Sequence, residues 1–316
     1  MNLITLKHGV VKLLKFLLIF LLVDQLLGYG VHQLFLSQDT GKFARSSYVI
    51  NDSNDEVLLF GSSHMVRQYV PEIITKKTGL TCYNAGAEGQ QLLYHTALLQ
   101  MVLKRTTPKL VVLNIDEHWL FESDVAYSRL NDLNAYYSYH KDVLYPKLKE
   151  KSTFVPVKMF FKGYQKNSTL VHVVRYFFSP QGSFNGYKPL YGKMQGPSNK
   201  SHNNEALSEN IDLFLVQNLE LFINLARENG VKLLFVNSPY PEAKDFGNNK
   251  SLQKIKQIAK ENKIPFYDHL NDGHFVGNYA MFNDPMHLNN EGSEKFTGLV
   301  ADHINMEFPD LVNDSK

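Results

Sequence analysis

A three-layer α/β fold, with a parallel sheet covered by helices on both faces, is predicted by two patterns in this 316-residue chain. Short apolar runs alternate with amphipathic stretches, and the runs carry no polar/apolar alternation of their own. Strands of that kind are buried on both faces. A third observation sets the limits: residues 119–205 lose this regularity, so an irregular insertion interrupts the fold. At 44% apolar content and a net charge of +2 the chain reads as a folded protein with no nucleic-acid partner. Cys82 is the only cysteine, which excludes an intrachain disulfide and a thiolate metal cluster.

The elements follow in order. Phe16–Val23, "FLLIFLLV", is an uninterrupted apolar run behind Lys7, Lys12 and Lys15. From Leu13 to Val31 the stretch approaches the ~20 residues of a membrane-crossing helix, with Asp24 costing about 1–3 kcal/mol inside it. Residues 1–36 are therefore expected to form an N-terminal transmembrane helix that leaves the bulk of the chain outside the cytoplasm. A cleaved signal peptide ending near "GYG" (Gly28–Gly30) is the rival reading. Polar residues 37–55 read as a linker, and the main domain as 56–316.

Within that domain "EVLLF" is a first strand, and a helix starts at Pro71 and ends at Gly79. "LTCYN" is a second strand, "LLYHTALLQMVLKR" a helix and "PKLVVLNID" a third strand. After the insertion, "LSENIDLFLVQNLELFINLARENG" is a helix, "VKLLFVNSPY" a fourth strand and "SLQKIKQIAKENK" a helix. "IPFYDH" is a fifth strand, and "HLNNEGSEKFTGLVADHI" closes the chain as a helix.

In parallel sheets, reactive groups gather beyond the carboxyl ends of the strands. There the sequence places Gly61-Ser62-Ser63, then "NAGAEGQ" (Asn84–Gln90), then Asn114, Asp116 and His118, and near the end Asp284 and His287 in "FNDPMHLNNEG". A serine hydroxyl needs a histidine base oriented by a carboxylate, and its tetrahedral intermediate needs hydrogen-bond donors. Every part is present. Either serine after the first strand is also a good helix cap. His64 follows Ser63 directly, so its side chain points elsewhere and reads as structural.

On these blocks the chain resembles the SGNH (GDSL-type) hydrolase superfamily, over Val57–Ile304 without the insertion. The resemblance implies a flavodoxin-like fold with Ser63 as nucleophile, His287 as base and Asp284 as its orienting acid. It implies Gly89 as an oxyanion donor. The family's Gly-x-Asn block is missing from "VVLNIDEHW", which leaves His118 or Asn114 as substitutes. A Gly-Ser-Ser turn resembles membrane-anchored members that help acylate alginate or teichoic acid.

The function expected from the sequence is thus an exported, membrane-anchored serine esterase or O-acyltransferase. Its substrate would be an O-acylated cell-envelope glycan, with no cofactor and no metal, and a membrane protein could deliver the acyl donor. Two alternatives stand beside it: a catalytically silent glycan-binding or scaffold protein, and a metal-assisted hydrolase using "DEHW" with Asp284 and His287.

Overall fold

The computed structural model describes residues 3–197 and 208–313; the last residues of the expected insertion, 198–205, lie outside the described residues. Along the chain run α1 (Leu3–Leu36), α2 (Lys42–Asn51), β1 (Val57–Phe60), α3 (Ser63–Gln68), α4 (Pro71–Thr78), β2 (Cys82–Asn84), α5 (Leu92–Val102) and β3 (Leu110–Asn114). Then come α6 (Asp124–Arg129), a 3-10 turn over Leu130–Tyr136, α7 (Lys141–Leu148), α8 (Val155–Phe160) and α9 (Lys162–Phe178). The remainder is α10 (Leu213–Glu228), β4 (Lys232–Asn237), α11 (Lys250–Glu261), β5 (Phe266–Asp268), β6 (Phe282–Asp284), β7 (His287–Leu288), α12 (Asn290–Glu307) and α13 (Pro309–Asn313).

The chain divides into two units, residues 1–44 with 131–181, and residues 45–130 with 182–316. The second unit holds the sheet. Its five strands lie in the order β2-β1-β3-β4-β5, every neighbouring pair parallel. Val57 of β1 stands between Cys82 of β2 and Leu110 of β3. The chain leaves β1 toward β2 and then returns past β1 to β3, so a crevice opens beyond the carboxyl end of β1.

The central strands are buried on both faces, and their side chains alternate between them. Val57, Leu59, Leu110, Val112, Leu234 and Val236 join one core with Ile74 of α4 and Phe296, Val300 and Ile304 of α12. Phe60 points the other way and meets Phe222 of α10 edge to face, with ring centres 6.2 Å apart. Each fully buried Leu, Val or Phe contributes about 1.5–3 kcal/mol relative to exposure. The helix limits follow local chemistry. Pro71 occupies the first turn of α4, and Gly79 ends it at φ 80°, its N–H donating to Thr75 O.

The first unit is helical, and the chain as a whole departs from the sequence reading in three places. Residues 42–51, expected within a linker, form α2, with Val49 and Ile50 buried. The stretch from 119 onward, expected to be irregular, contains α6 to α9. Some of its buried positions are tyrosines, Tyr127 on α6 and Tyr176 on α9 among them, and Pro146 lies inside α7. Residue-type counting therefore hid the helical period.

The third departure corrects the expected transmembrane helix. No helix among the described residues is both long and apolar enough to cross a membrane. At 1.5 Å per residue the uninterrupted run Phe16–Val23 covers about 12 Å of a ~30 Å hydrocarbon layer. Asp24, just beyond it, accepts the backbone N–H groups of Lys162 (2.7 Å) and Gly163 (2.9 Å). It thereby caps α9, whose own cap residue, Phe161, offers no side-chain acceptor.

Candidate active site

The turn after β1 gives the two serines different surroundings. Gly61 is required by close approach: a Cβ there would lie 2.9 Å from Met65 Cβ and 3.0 Å from Asn114 O. Ser62 is the N-cap of α3, its hydroxyl accepting the His64 N–H at 3.4 Å. Ser63 is the first helical residue, and its hydroxyl faces His287 Nε2 at 2.9 Å.

His287 arrives from the other end of the chain on a tight antiparallel hairpin, β6–β7, in which Asp284 and His287 are paired. Asp284 Oδ1 accepts the backbone N–H of Met286 (2.9 Å) and of His287 (3.0 Å), and Oδ2 accepts from the Asn283 amide (3.1 Å). These bonds fix the carboxylate against the ring, with His287 Nδ1 3.0 and 3.1 Å from its two oxygens. Burial alone would raise the Asp284 pKa. The His287 hydrogen bond and charge, with the Met286 and Asn283 donors, instead hold it well below the usual carboxylate range. An ionised Asp284 accepts a hydrogen bond from Nδ1–H, and that tautomer leaves the Nε2 lone pair free to accept the Ser63 hydroxyl proton. Ser63, His287 and Asp284 are thus brought together.

The second block supplies backbone donors. Asn84 is buried, and its amide donates to Met65 O (2.7 Å) and Tyr69 O (2.9 Å) while its Oδ1 accepts the Gly86 N–H (3.0 Å). That ties the loop 85–90 to the serine helix. Ala87 N–H is used by Gly61 O at 3.0 Å. Gly89, at φ 72°, follows on the exposed rim of this loop. Among the described residues no hydrogen-bond partner is seen for the N–H groups of Ser63 and Gly89, so either can meet an incoming oxygen.

Glu88 clamps the same loop. Its carboxylate reaches Arg45 (2.7 Å), Arg67 of α3 (3.2 Å) and Lys188 (3.4 Å). Burial would raise its pKa, but these three cations outweigh that and hold it at about 2. Because the folded value is depressed, the stabilisation is complete above the ordinary carboxyl range and fades as pH falls toward 2. Arg45 is only 4% exposed, so losing its partner strands a buried charge. Glu88→Gln is expected to lower stability by about 1–3 kcal/mol at pH 7. Denaturant titrations at stepwise lower pH should show the gap to the wild type closing between pH 5 and 2.

The two side chains expected to complete the oxyanion site fare differently. Asn114 is fully buried; its amide donates to Asp116 (3.0 Å), and its Oδ1 accepts from Tyr69 (2.7 Å) and from Ser238. Its donor is therefore committed elsewhere. His118 is half-buried on the turn after β3.

One arrangement had no counterpart in the sequence reading. His64 Nδ1 pairs with Asp116 at 2.8 Å, both side chains buried, and the His64 ring centre is 5.6 Å from that of His287. Burial pushes the His64 pKa down, but the Asp116 and Glu117 carboxylates outweigh it and leave it raised. A second imidazole–carboxylate pair thus stands directly behind the first. The only hint in the sequence is the recurrence of His and Asp after β1 and β3. Among the described residues, no group of three or more His, Cys, Asp or Glu side chains is arranged to hold a metal ion.

No protein-family model and no curated protein matches the chain. Among solved structures, it is similar to a protein assigned as an acylhydrolase from Bacteroides fragilis (15% identity, 81% of this chain and 89% of that one, TM-score 0.39). It is similar to one assigned as a lipolytic protein of the G-D-S-L family from Desulfitobacterium hafniense (13% identity, 79% and 99%, TM-score 0.39). A third is a GDSL-like lipase from Bacteroides thetaiotaomicron (15% identity, 87% and 100%, TM-score 0.39). At such scores the likeness is too loose to transfer any residue's role, so function rests on the geometry of the site itself.

Proposed function

We propose that the protein is a serine hydrolase of the SGNH type that cleaves or transfers the acyl group of esters. The single observation that carries this reading is the 2.9 Å approach of Ser63 Oγ to His287 Nε2, with Nδ1 of the same ring on Asp284. Ser63 attacks the ester carbonyl as its proton passes to His287 Nε2. The tetrahedral oxyanion is received by the N–H groups of Ser63 and Gly89, with His118 as a candidate third donor. Collapse breaks the bond to the leaving alcohol, which takes the proton from His287 and leaves an acyl-serine. A second nucleophile then gives its proton to His287 and takes the acyl group. Water in that place makes an esterase, and a sugar hydroxyl makes an O-acyltransferase.

The finer reading is an enzyme of the cell envelope acting on O-acylated glycans outside the cytoplasm. It is supported by the apolar, lysine-led amino terminus and by the Gly-Ser-Ser turn. A membrane protein that hands over the acyl donor fits the transferase version.

Incubating the full chain with a fluorophosphonate probe tests the chemistry. The expected result is one covalent adduct, located on Ser63 by peptide mass spectrometry and prevented by prior heat denaturation. A chain that stays unlabelled while a control esterase reacts would overturn the proposal and favour a silent binding protein. Deacylation of an O-acetylated polysaccharide, compared with p-nitrophenyl acetate, then tests the glycan preference.

A further inference from the structure

In the helical unit, α1 exposes Phe16, Leu17, Leu18, Ile19 and Phe20 in succession. Successive residues step about 100° around a helix, so these five present apolar surface on every side. A helix that is apolar all round needs an apolar surrounding all round. A second copy or a protein partner covers one side of such a rod, whereas lipid acyl chains cover all of it.

The point where this rod leaves the packed unit is marked by three contacts. The Phe20 ring lies 6.1 Å from that of Phe161, Asp24 caps α9, and a Cβ at Gly28 would collide with the Lys162 side chain. Beside that point, α8 turns Val155 and Met159 inward and presents Phe154, Val157 and Phe160 outward, 67%, 61% and 57% exposed. The three-residue spacing puts these last three on one face. Lys149, Lys151 and Lys158 are exposed next to them, with Glu150 the nearby acid, and Lys7, Lys12 and Lys15 accompany the rod. Apolar side chains ringed by lysines are the pattern of an interfacial lipid contact, where phosphate groups meet the cations.

We infer that α8 is a lipid-facing collar: Phe154, Val157 and Phe160 seat in the surface of an anionic phospholipid bilayer while the apolar part of α1 enters it. The membrane contact is then made by two segments far apart in the chain, and the bilayer surface lies level with α8. This is independent of the enzymatic reading, since none of these residues belongs to the site.

The test uses the full chain carrying Val157→Cys and, separately, Phe154→Cys, each labelled with a polarity-sensitive fluorophore. Cys82, the natural cysteine, is buried and does not compete for the label. With vesicles of phosphatidylcholine and phosphatidylglycerol at 3:1, a blue shift at both positions is expected. Iodide quenching should fall several-fold, and the shift should weaken in pure phosphatidylcholine. Unchanged emission and unchanged iodide access in vesicle-bound protein, with binding established by flotation, would overturn the inference. So would a blue shift that needs no vesicles and grows with protein concentration, which would mark a second copy as the occupant.

Discussion

Ser63→Ala is expected to reduce ester turnover by about 10^4- to 10^6-fold while leaving the fold intact. The hydroxyl lost is the one facing His287 at 2.9 Å, and nothing else in the site can replace it. Ser62 is adjacent, but its side chain is spent on the N–H of His64. The neighbouring substitution is therefore the control. Ser62→Ala removes a helix cap and should cost about 1 kcal/mol of stability, with a far smaller loss of turnover. Initial rates with p-nitrophenyl acetate and denaturant titrations on both variants separate the two roles. Equal losses of activity would mean that Ser63 is no nucleophile.

Asp284→Asn carries the second large effect, a fall of about 10^4-fold in kcat. The Asp284 carboxylate accepts from His287 Nδ1 while being held by Met286 N–H, His287 N–H and the Asn283 amide. An amide in its place either turns an NH2 toward Nδ1 or breaks the backbone bonds. The first outcome reverses the tautomer and puts a proton on Nε2, where the serine needs a base. The depressed pKa of Asp284 adds a statement about pH. The carboxylate stays ionised through the mildly acidic range, so the acid limb of the wild-type profile is not expected to come from Asp284. Titrating kcat/KM between pH 4 and 9 checks both points. A variant retaining wild-type kcat would remove the carboxylate from the mechanism, and a wild-type acid limb that tracks Asp284 would overturn its depressed pKa.

Much of this site was legible because its parts are local. A glycine and two serines after an apolar run, and Asp three residues before His ahead of a helix, are short patterns with short physical causes. The five strands and the helix from Pro71 to Gly79 were legible for the same reason. What escaped was long-range. Glu88 collects Arg45, Arg67 and Lys188 from three separate segments, and no window of sequence contains that meeting. The Asn114 amide looked free until Asp116 was seen to hold it. His64 was read from its helical direction alone, which says where it does not point but not that Asp116 waits there. The amino terminus was read over Leu13–Val31, a stretch that counts interrupted residues, whereas only Phe16–Val23 is unbroken.

The pairing of Ser63 with His287, 224 positions apart in the chain, has a consequence for biogenesis. During synthesis Ser63, its glycine loop and all five strands of the sheet emerge before Asp284 and His287. On the proposed mechanism a nascent chain is chemically inert until the β6–β7 hairpin and α12 pack against α3. Onset of esterase activity in a translation reaction would time that last docking step.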